Sequence, residues 1–282
     1  MIEFAAVTTL FGRRPQRALE RFRAGADKAA LLAEGHVLAL ADLSLTIAPG
    51  EFFAVMGLSG SGKSTLIRHV NRLIDPTAGC IRVDGIEVSA LDRRGLEAFR
   101  RRRVAMVFQH FGLLPHRTVL ENAAYGLEVR GEPRAEREAR AAAWLERVGL
   151  AGYERHMPQA LSGGMRQRVG LARALAVETP VLLMDEPFSA LDPLTRAELQ
   201  DELAALHRGH GRTVLFVTHD LDEAARLADR IAILRDGAVV QVGAPADILE
   251  RPADEHVRAF VGAVRRDRPQ PPSSPFASPS AG

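Results

Sequence analysis

Cysteine is almost absent: the chain has one, Cys80, which excludes an internal disulfide and fits a reducing compartment. Long apolar runs are absent too. Nowhere do about 18 apolar residues follow one another, so no segment is read as a membrane-spanning helix. The opening MIEFAAVTTLFGRRPQ lacks a basic stretch followed by a long apolar core, so it is not read as a secretory signal, and a soluble, cytoplasmic protein is expected. Excess charge of either sign is lacking as well: the net charge is +2, which gives no whole-chain footprint for nucleic acid. Lysine is nearly missing. Only Lys28 and Lys63 occur among 37 basic residues, the other 35 being arginine, so a lysine kept inside a motif is informative.

The 282 residues, 46% of them hydrophobic and 26% charged, suffice for a full globular core. Residues 1–36, with ALERF and AALLAEG, read as an amphipathic helical lead-in. Short β runs follow from Val37, ending in a buried strand over 52–56 and a helix over 65–73. CIRVDGIEV reads as a hairpin turning at Asp84-Gly85, 92–103 as a helix and 104–108 as a buried strand. Between about 113 and 176 the β signal vanishes and helical spacing takes over, which reads as a helical insertion. Strand and helix then alternate again: VLLMD, a helix opening at Asp192-Pro193, TVLFVTH, LDEAARLA, and a hairpin around Asp236-Gly237. That alternation implies an α/β fold with a mostly parallel sheet covered on both faces. From Arg265 the Pro/Ser-rich tail reads as disordered.

GLSGSGKST follows a strand and opens a helix, the context a P-loop requires. Its residues Gly57, Ser59, Gly60, Ser61, Gly62, Lys63, Ser64 and Thr65 can wrap backbone N–H groups around phosphate at a positive helix end. Lys63 is placed to reach the β and γ phosphates, and the Ser64 hydroxyl to hold Mg²⁺. By composition, chance matches to the pattern number on the order of 10⁻³ in a chain of this length, so an accidental glycine turn is rejected. VLLMDEP then delivers Asp185 at the carboxyl end of a buried strand as a metal carboxylate, with Glu186 next to it as general base. Such a pair alone is as readily a capping or solvated pair; the upstream P-loop gives it meaning. His219 at the end of TVLFVTH is a candidate near the γ-phosphate and the attacking water, and Gln109 after VAMVF a candidate for contacting metal and water.

LSGGMRQRV (161–169), read alone, is a helix start. With the P-loop, Gln109, DEP, SALD (189–192) and His219 in this order, the chain resembles the ABC ATPase family over roughly residues 36–245. The resemblance implies a P-loop NTPase (RecA-like) core with an antiparallel β subdomain and an α-helical subdomain. It implies ATP and Mg²⁺ as ligands and a head-to-tail homodimer, in which Ser162, Gly163 and Gly164 close over the partner's ATP and Asp192 lies at the interface. It also implies an integral membrane permease as partner, seated against the helical insertion and the segment after Gln109, and an extracytoplasmic substrate-binding protein beyond it. The protein would then sit at the cytoplasmic face of the inner membrane. Phe111, Leu113 and Leu114 are read either as a docking surface for the permease or as core.

The lead-in, GLSGSGKSTLIRHVNRLIDPTAG and DEPFSALDPLTRAELQDEL are similar to importers of quaternary amines, of the glycine betaine, choline and proline type. Two departures stand out. The Pro/Ser tail replaces the paired CBS domains of longer members, so ionic-strength sensing through such domains is not carried over. The stretch where an adenine-stacking aromatic is sought offers only Glu34 and His36. The competing readings are an importer of amino acids, sugars or metals, a non-transport ABC ATPase acting on ribosomes or DNA, and a P-loop kinase or GTPase. The last leaves LSGGMRQRV without a role.

Overall fold

The computed structural model describes residues 1–266; the disordered tail expected from Arg265 therefore lies, past Arg266, outside the described residues. Two sheets organise the chain. The larger has six strands in the order β10-β9-β3-β8-β7-β6, built from β3 (Phe52–Gly57), β6 (Val104–Val107), β7 (Val181–Asp185), β8 (Thr213–Val217), β9 (Arg230–Arg235) and β10 (Ala238–Gly243). All pairings are parallel except β9 with β10. Strands β3, β7 and β8 are buried at every position, which is why they read as continuous apolar runs without alternation.

The pleat sends successive residues to opposite faces and so builds two cores. Phe52, Ala54, Met56, Leu182, Met184 and Phe216 join the core shared with the helical region. Phe53, Val55, Val181, Leu183, Leu215 and Val217 join the other, shared with the second sheet. That second sheet is antiparallel, in the order β2-β1-β4-β5, from β1 (Ile2–Phe11), β2 (Val37–Ile47), β4 (Ala78–Val83) and β5 (Ile86–Glu87). The hairpins expected at Asp84-Gly85 and Asp236-Gly237 are present, each turn with both residues at positive φ.

The lead-in is corrected in part. Residues 2–11 form strand β1 rather than helix, because IEFAAVTTLF is rich in β-branched and aromatic residues and pairs with β2 on one side and β4 on the other. Helical spacing holds only for α1 (Pro15–Arg23) and α2 (Lys28–Ala33), which are inserted between β1 and β2. Leu10, Ala18, Leu19, Leu31 and Leu38 form a small core beneath them.

Helix α3 (Lys63–Val70) follows β3, and α4 (Arg93–Arg102) leads into β6. The helical insertion comprises α5 (Val119–Val129), α6 (Arg134–Arg147) and α7 (Gly163–Ala176). Thr118 and Glu121 close a capping box on α5, and Asp192 caps α8 (Pro193–His210) with Pro at its start. Helices α9 (Leu221–Leu227), α10 (Pro245–Glu250) and α11 (Glu255–Arg266) complete the described chain.

The strand order has one decisive effect. Neighbours β3, β8, β7 and β6 end at Gly57, Val217, Asp185 and Val107, all on the same carboxyl edge. Phe216, fully buried on β8, meets Phe52 and Phe188 edge to face, both at 6.0 Å between ring centroids. Phe216→Ala is expected to cost about 3–5 kcal/mol, read as a lowered midpoint in urea unfolding of the purified chain.

Candidate functional site

The loop between β3 and α3 has a backbone that admits only glycine at two places. Gly57 sits at φ +149°, where a Cβ would come 2.3 Å from the Leu234 carbonyl oxygen. Gly62, at φ +103°, would bring one 2.5 Å from that of Ala39. Lys63 opens α3 and is buried; its Nζ donates to the carbonyls of Gly57 at 2.8 Å and Leu58 at 2.9 Å. Burial pushes the pKa of this ammonium down, while Glu186 and Asp185 pull it up. The Ser61 hydroxyl is buried without a partner, and the Ser61 carbonyl accepts the Gly237 N–H at 3.1 Å.

Asp185, at the end of β7, is fully buried. Its carboxylate accepts the Ser64 hydroxyl at 3.0 Å and an Arg68 N–H at 3.4 Å. Burial raises its pKa, Ser64 and Arg68 oppose that rise, and Glu186 adds to it. Glu186, the next residue, takes the left-handed conformation at φ +49°, which costs a non-glycine residue on the order of 1 kcal/mol or more. Its carboxylate accepts the Gln109 amide at 3.2 Å, and His219 Nδ1 lies 3.6 Å from the other oxygen. Lys63, Ser64, Gln109, Asp185, Glu186 and His219 are thereby brought together. Gln109 turns its amide to Glu186; among the expected metal ligands, Ser64 and Asp185 touch directly.

A cavity of about 930 Å³ takes in this loop together with Gln109, Glu186 and His219. Its rim includes Phe11 and Val37, which are paired across β1 and β2 and half exposed. Phe11 went unnoticed in the sequence because α1 and α2 separate it from the rest of the site. His36, sought in its place, does not line the cavity, and its buried Nδ1 faces Gly12.

Ser162, Gly163 and Gly164 do not line that cavity. The Ser162 hydroxyl caps α7 by accepting the Met165 N–H at 3.2 Å, and a Cβ on Gly163 would meet nothing within 4 Å, so this helix start is open. Asp192 is exposed and caps α8 through the Thr195 N–H at 3.0 Å, a bond that holds its carboxyl below the usual range.

One residue beyond the expected set joins these parts. Gln167 of α7, buried, donates to the Glu186 carbonyl at 3.0 Å and accepts the Ala190 N–H at 2.9 Å. It braces the loop from Glu186 to Asp192 against the helix that Ser162 caps. The only signal in the sequence was a polar residue at a helical position otherwise occupied by core.

A second hollow of about 500 Å³ lies between the helical insertion and the main sheet, with Leu73, Arg100, Phe108, Tyr125, Val129 and Arg173 in its wall. Phe111, Leu113 and Leu114 do not line it. Leu113 packs on the core, and Phe111 lies under the Arg166 guanidinium at 5.6 Å. Arg173 donates to the carbonyls of Phe111 and Gly112 and so fixes that segment.

A P-loop, a strand-end acidic pair and a braced glycine helix start define a nucleotide cassette, and comparison with known proteins identifies it. The family model described as ABC transporter matches residues 40–189, and the chain belongs to that family. The glycine betaine/proline betaine transport system ATP-binding protein ProV of Escherichia coli (strain K12) is 51% identical over 264 residues. That match covers 93% of this chain and 66% of the relative. The glycine betaine transport ATP-binding protein OpuAA of Bacillus subtilis (strain 168) is 49% identical, over 93% of this chain and 63% of its own. The chain thus spans just under two thirds of the length of these relatives. Among solved structures, a dimeric post-hydrolysis state of the ATP-binding cassette MJ0796 bound to ADP and Pi matches with a TM-score of 0.76. It is 34% identical, over 87% of this chain and 99% of that one.

Gln167→Met, close in volume, leaves the Ala190 N–H without its partner and takes one donor from the Glu186 carbonyl, which keeps the Ser189 hydroxyl at 3.1 Å. The expected cost is about 1–3 kcal/mol, read as a lowered midpoint in urea unfolding of the purified chain.

Proposed function

We propose that this chain binds MgATP and hydrolyses it as the motor subunit of an importer for a quaternary amine of the glycine betaine, choline or proline type. The observation that carries the reading is the convergence of Lys63, Ser64, Gln109, Glu186 and His219 around one cavity, with Asp185 buried behind Ser64 and bonded to it. Each polar group there has a role in phosphoryl transfer. The loop amides and Lys63, released from the Gly57 and Leu58 carbonyls, take the β and γ phosphates. Glu186 accepts a proton from the attacking water as that oxygen bonds the γ-phosphorus; the bond to the bridging oxygen breaks, leaving ADP and phosphate. Gln109 and His219 flank the Glu186 carboxylate and orient the water and the γ-phosphate.

The donor set fits Mg²⁺. Ser64 and Asp185 place two hard oxygens 3.0 Å apart, with Asp185 buried and only partly neutralised. Among the described residues no group of three or more His, Cys, Asp or Glu side chains could hold a metal by itself. Mg²⁺ shared between one or two protein oxygens and substrate phosphates suits such a site, and when bound it offsets phosphate charge.

Ser162, Gly163 and Gly164 lie outside the chain's own cavity yet form an open helix start, so their nucleotide is taken to be the one held by a second copy. Asp192 then lies at the interface between the two copies. That the MJ0796 cassette is dimeric supports the pairing of two copies. The hollow walled by Phe108, Tyr125 and Arg173 is the seat for a membrane permease, through which the chain works at the cytoplasmic face of the inner membrane. No described helix is long and apolar enough to cross a membrane. A substrate-binding protein on the far side would deliver the solute. The quaternary-amine reading rests on the lead-in resemblance and on the match to ProV and OpuAA across 93% of the chain.

Glu186→Gln is expected to keep ATP affinity, form a dimer with MgATP on size-exclusion chromatography, and lose at least 100-fold in turnover, since only the base is removed. Parental turnover in this variant would overturn the assignment. In proteoliposomes holding the whole complex, glycine betaine should raise ATP turnover and methionine should not; the opposite result would redirect the chain to amino-acid import.

A further inference from the structure

The helical insert α1–α2 leaves the antiparallel sheet at Phe11 and returns to it at Val37, the two residues paired on the rim of the nucleotide cavity. Its inner side is fixed by the small core of Leu10, Ala18, Leu19, Leu31 and Leu38, and by Gln16, which donates to the Thr77 carbonyl at 3.2 Å. Its outer side reaches the cavity through Lys28, one of the two lysines in the chain, which lines the same cavity as the other, Lys63. Lys28 follows Asp27, whose carboxylate caps α2 through the Ala30 N–H at 2.8 Å. The Lys28 ammonium donates to Asp236 at 2.7 Å.

Asp236 occupies the tight turn between β9 and β10, and the turn is locked in place. The Gly237 N–H donates to the Ser61 carbonyl at 3.1 Å, its carbonyl accepts the Ala41 N–H at 3.0 Å, and a Cβ at Gly237 would lie 2.7 Å from the Ala39 carbonyl oxygen. The lysine therefore ties the free side of the insert to a turn that is itself bonded to the P-loop.

We propose that Lys28 is a nucleotide-positioning residue: its ion pair with Asp236 straps the insert beside the cavity, holds the Phe11–Val37 rim in place, and slows the departure of bound nucleotide. The strap rests on the nucleotide-binding reading above and adds to it a control on residence time. Both partners are substantially exposed, 43% for the Lys28 side chain and 69% for that of Asp236, so the effect is modest and screened by salt.

The test follows a fluorescent N-methylanthraniloyl-ADP leaving the full-length chain when chased with excess ADP, in Mg²⁺ at low ionic strength. Lys28→Ala and Asp236→Asn, the latter keeping a residue that tolerates the left-handed turn, should each release it roughly two- to fivefold faster. The double variant should be no faster than either single one, because one interaction is lost in all three. Lys28→Arg should stay near the parental rate. Raising the salt should speed release from the parental chain and leave Lys28→Ala unchanged. Release at the parental rate in both single variants, or additive effects in the double, overturns the strap while leaving nucleotide binding intact. Lys63→Ala should abolish binding of the probe, and a parental chain that binds none of it overturns both readings.

Discussion

The site depends on one constraint, the parallel order of β3, β8, β7 and β6. Parallel neighbours end on the same edge, and a chain leaving each end must turn there. The turns present the P-loop, His219, Asp185 with Glu186, and Gln109 in a row, although these residues are scattered across the sequence. The hydrogen bonds from Ser64 to Asp185 and from Gln109 to Glu186 follow from that row. A shift of β7 by one residue would exchange Asp185 with its neighbours between the sheet's two faces and remove both.

Glu186 shows how the constraint is refined. The β7 ladder runs out at Asp185, and the chain passes through a left-handed residue that the local sequence does not favour. The Glu186 N–H to the Val217 carbonyl at 3.0 Å holds one side of this conformation. Gln167 holds the other, from a helix in a different subdomain. The Ser189 hydroxyl adds a local bond to the same carbonyl at 3.1 Å, so tertiary and local contacts together direct the carboxylate at the cavity.

What could be read from the sequence follows the range of the interaction responsible. The P-loop, Asp185, the hairpins and the cap of α8 depend on neighbours in sequence, and their residue types announce them. The core strands could be read because burial on both faces leaves apolar runs. Strand β1 was obscured because the helical spacing of α1 and α2 was extended back over it. Phe11 was hidden for a related reason: its closeness to the cavity depends on pairing with Val37 across an insertion, which local spacing does not record. Phe111, Leu113 and Leu114 could be read from the sequence only as docking surface or core, because apolar residues in a loop suit either. Leu113 faces the core, and Arg173 holds Phe111 and Gly112 by their carbonyls.

Gln167 grows from the helix that Ser162 starts and grips the loop that carries Glu186. Whatever meets the open end of this helix is therefore joined, by one amide a turn further on, to the backbone that aims Glu186. A push on that helix start would reach Glu186 directly, without passing through the sheet.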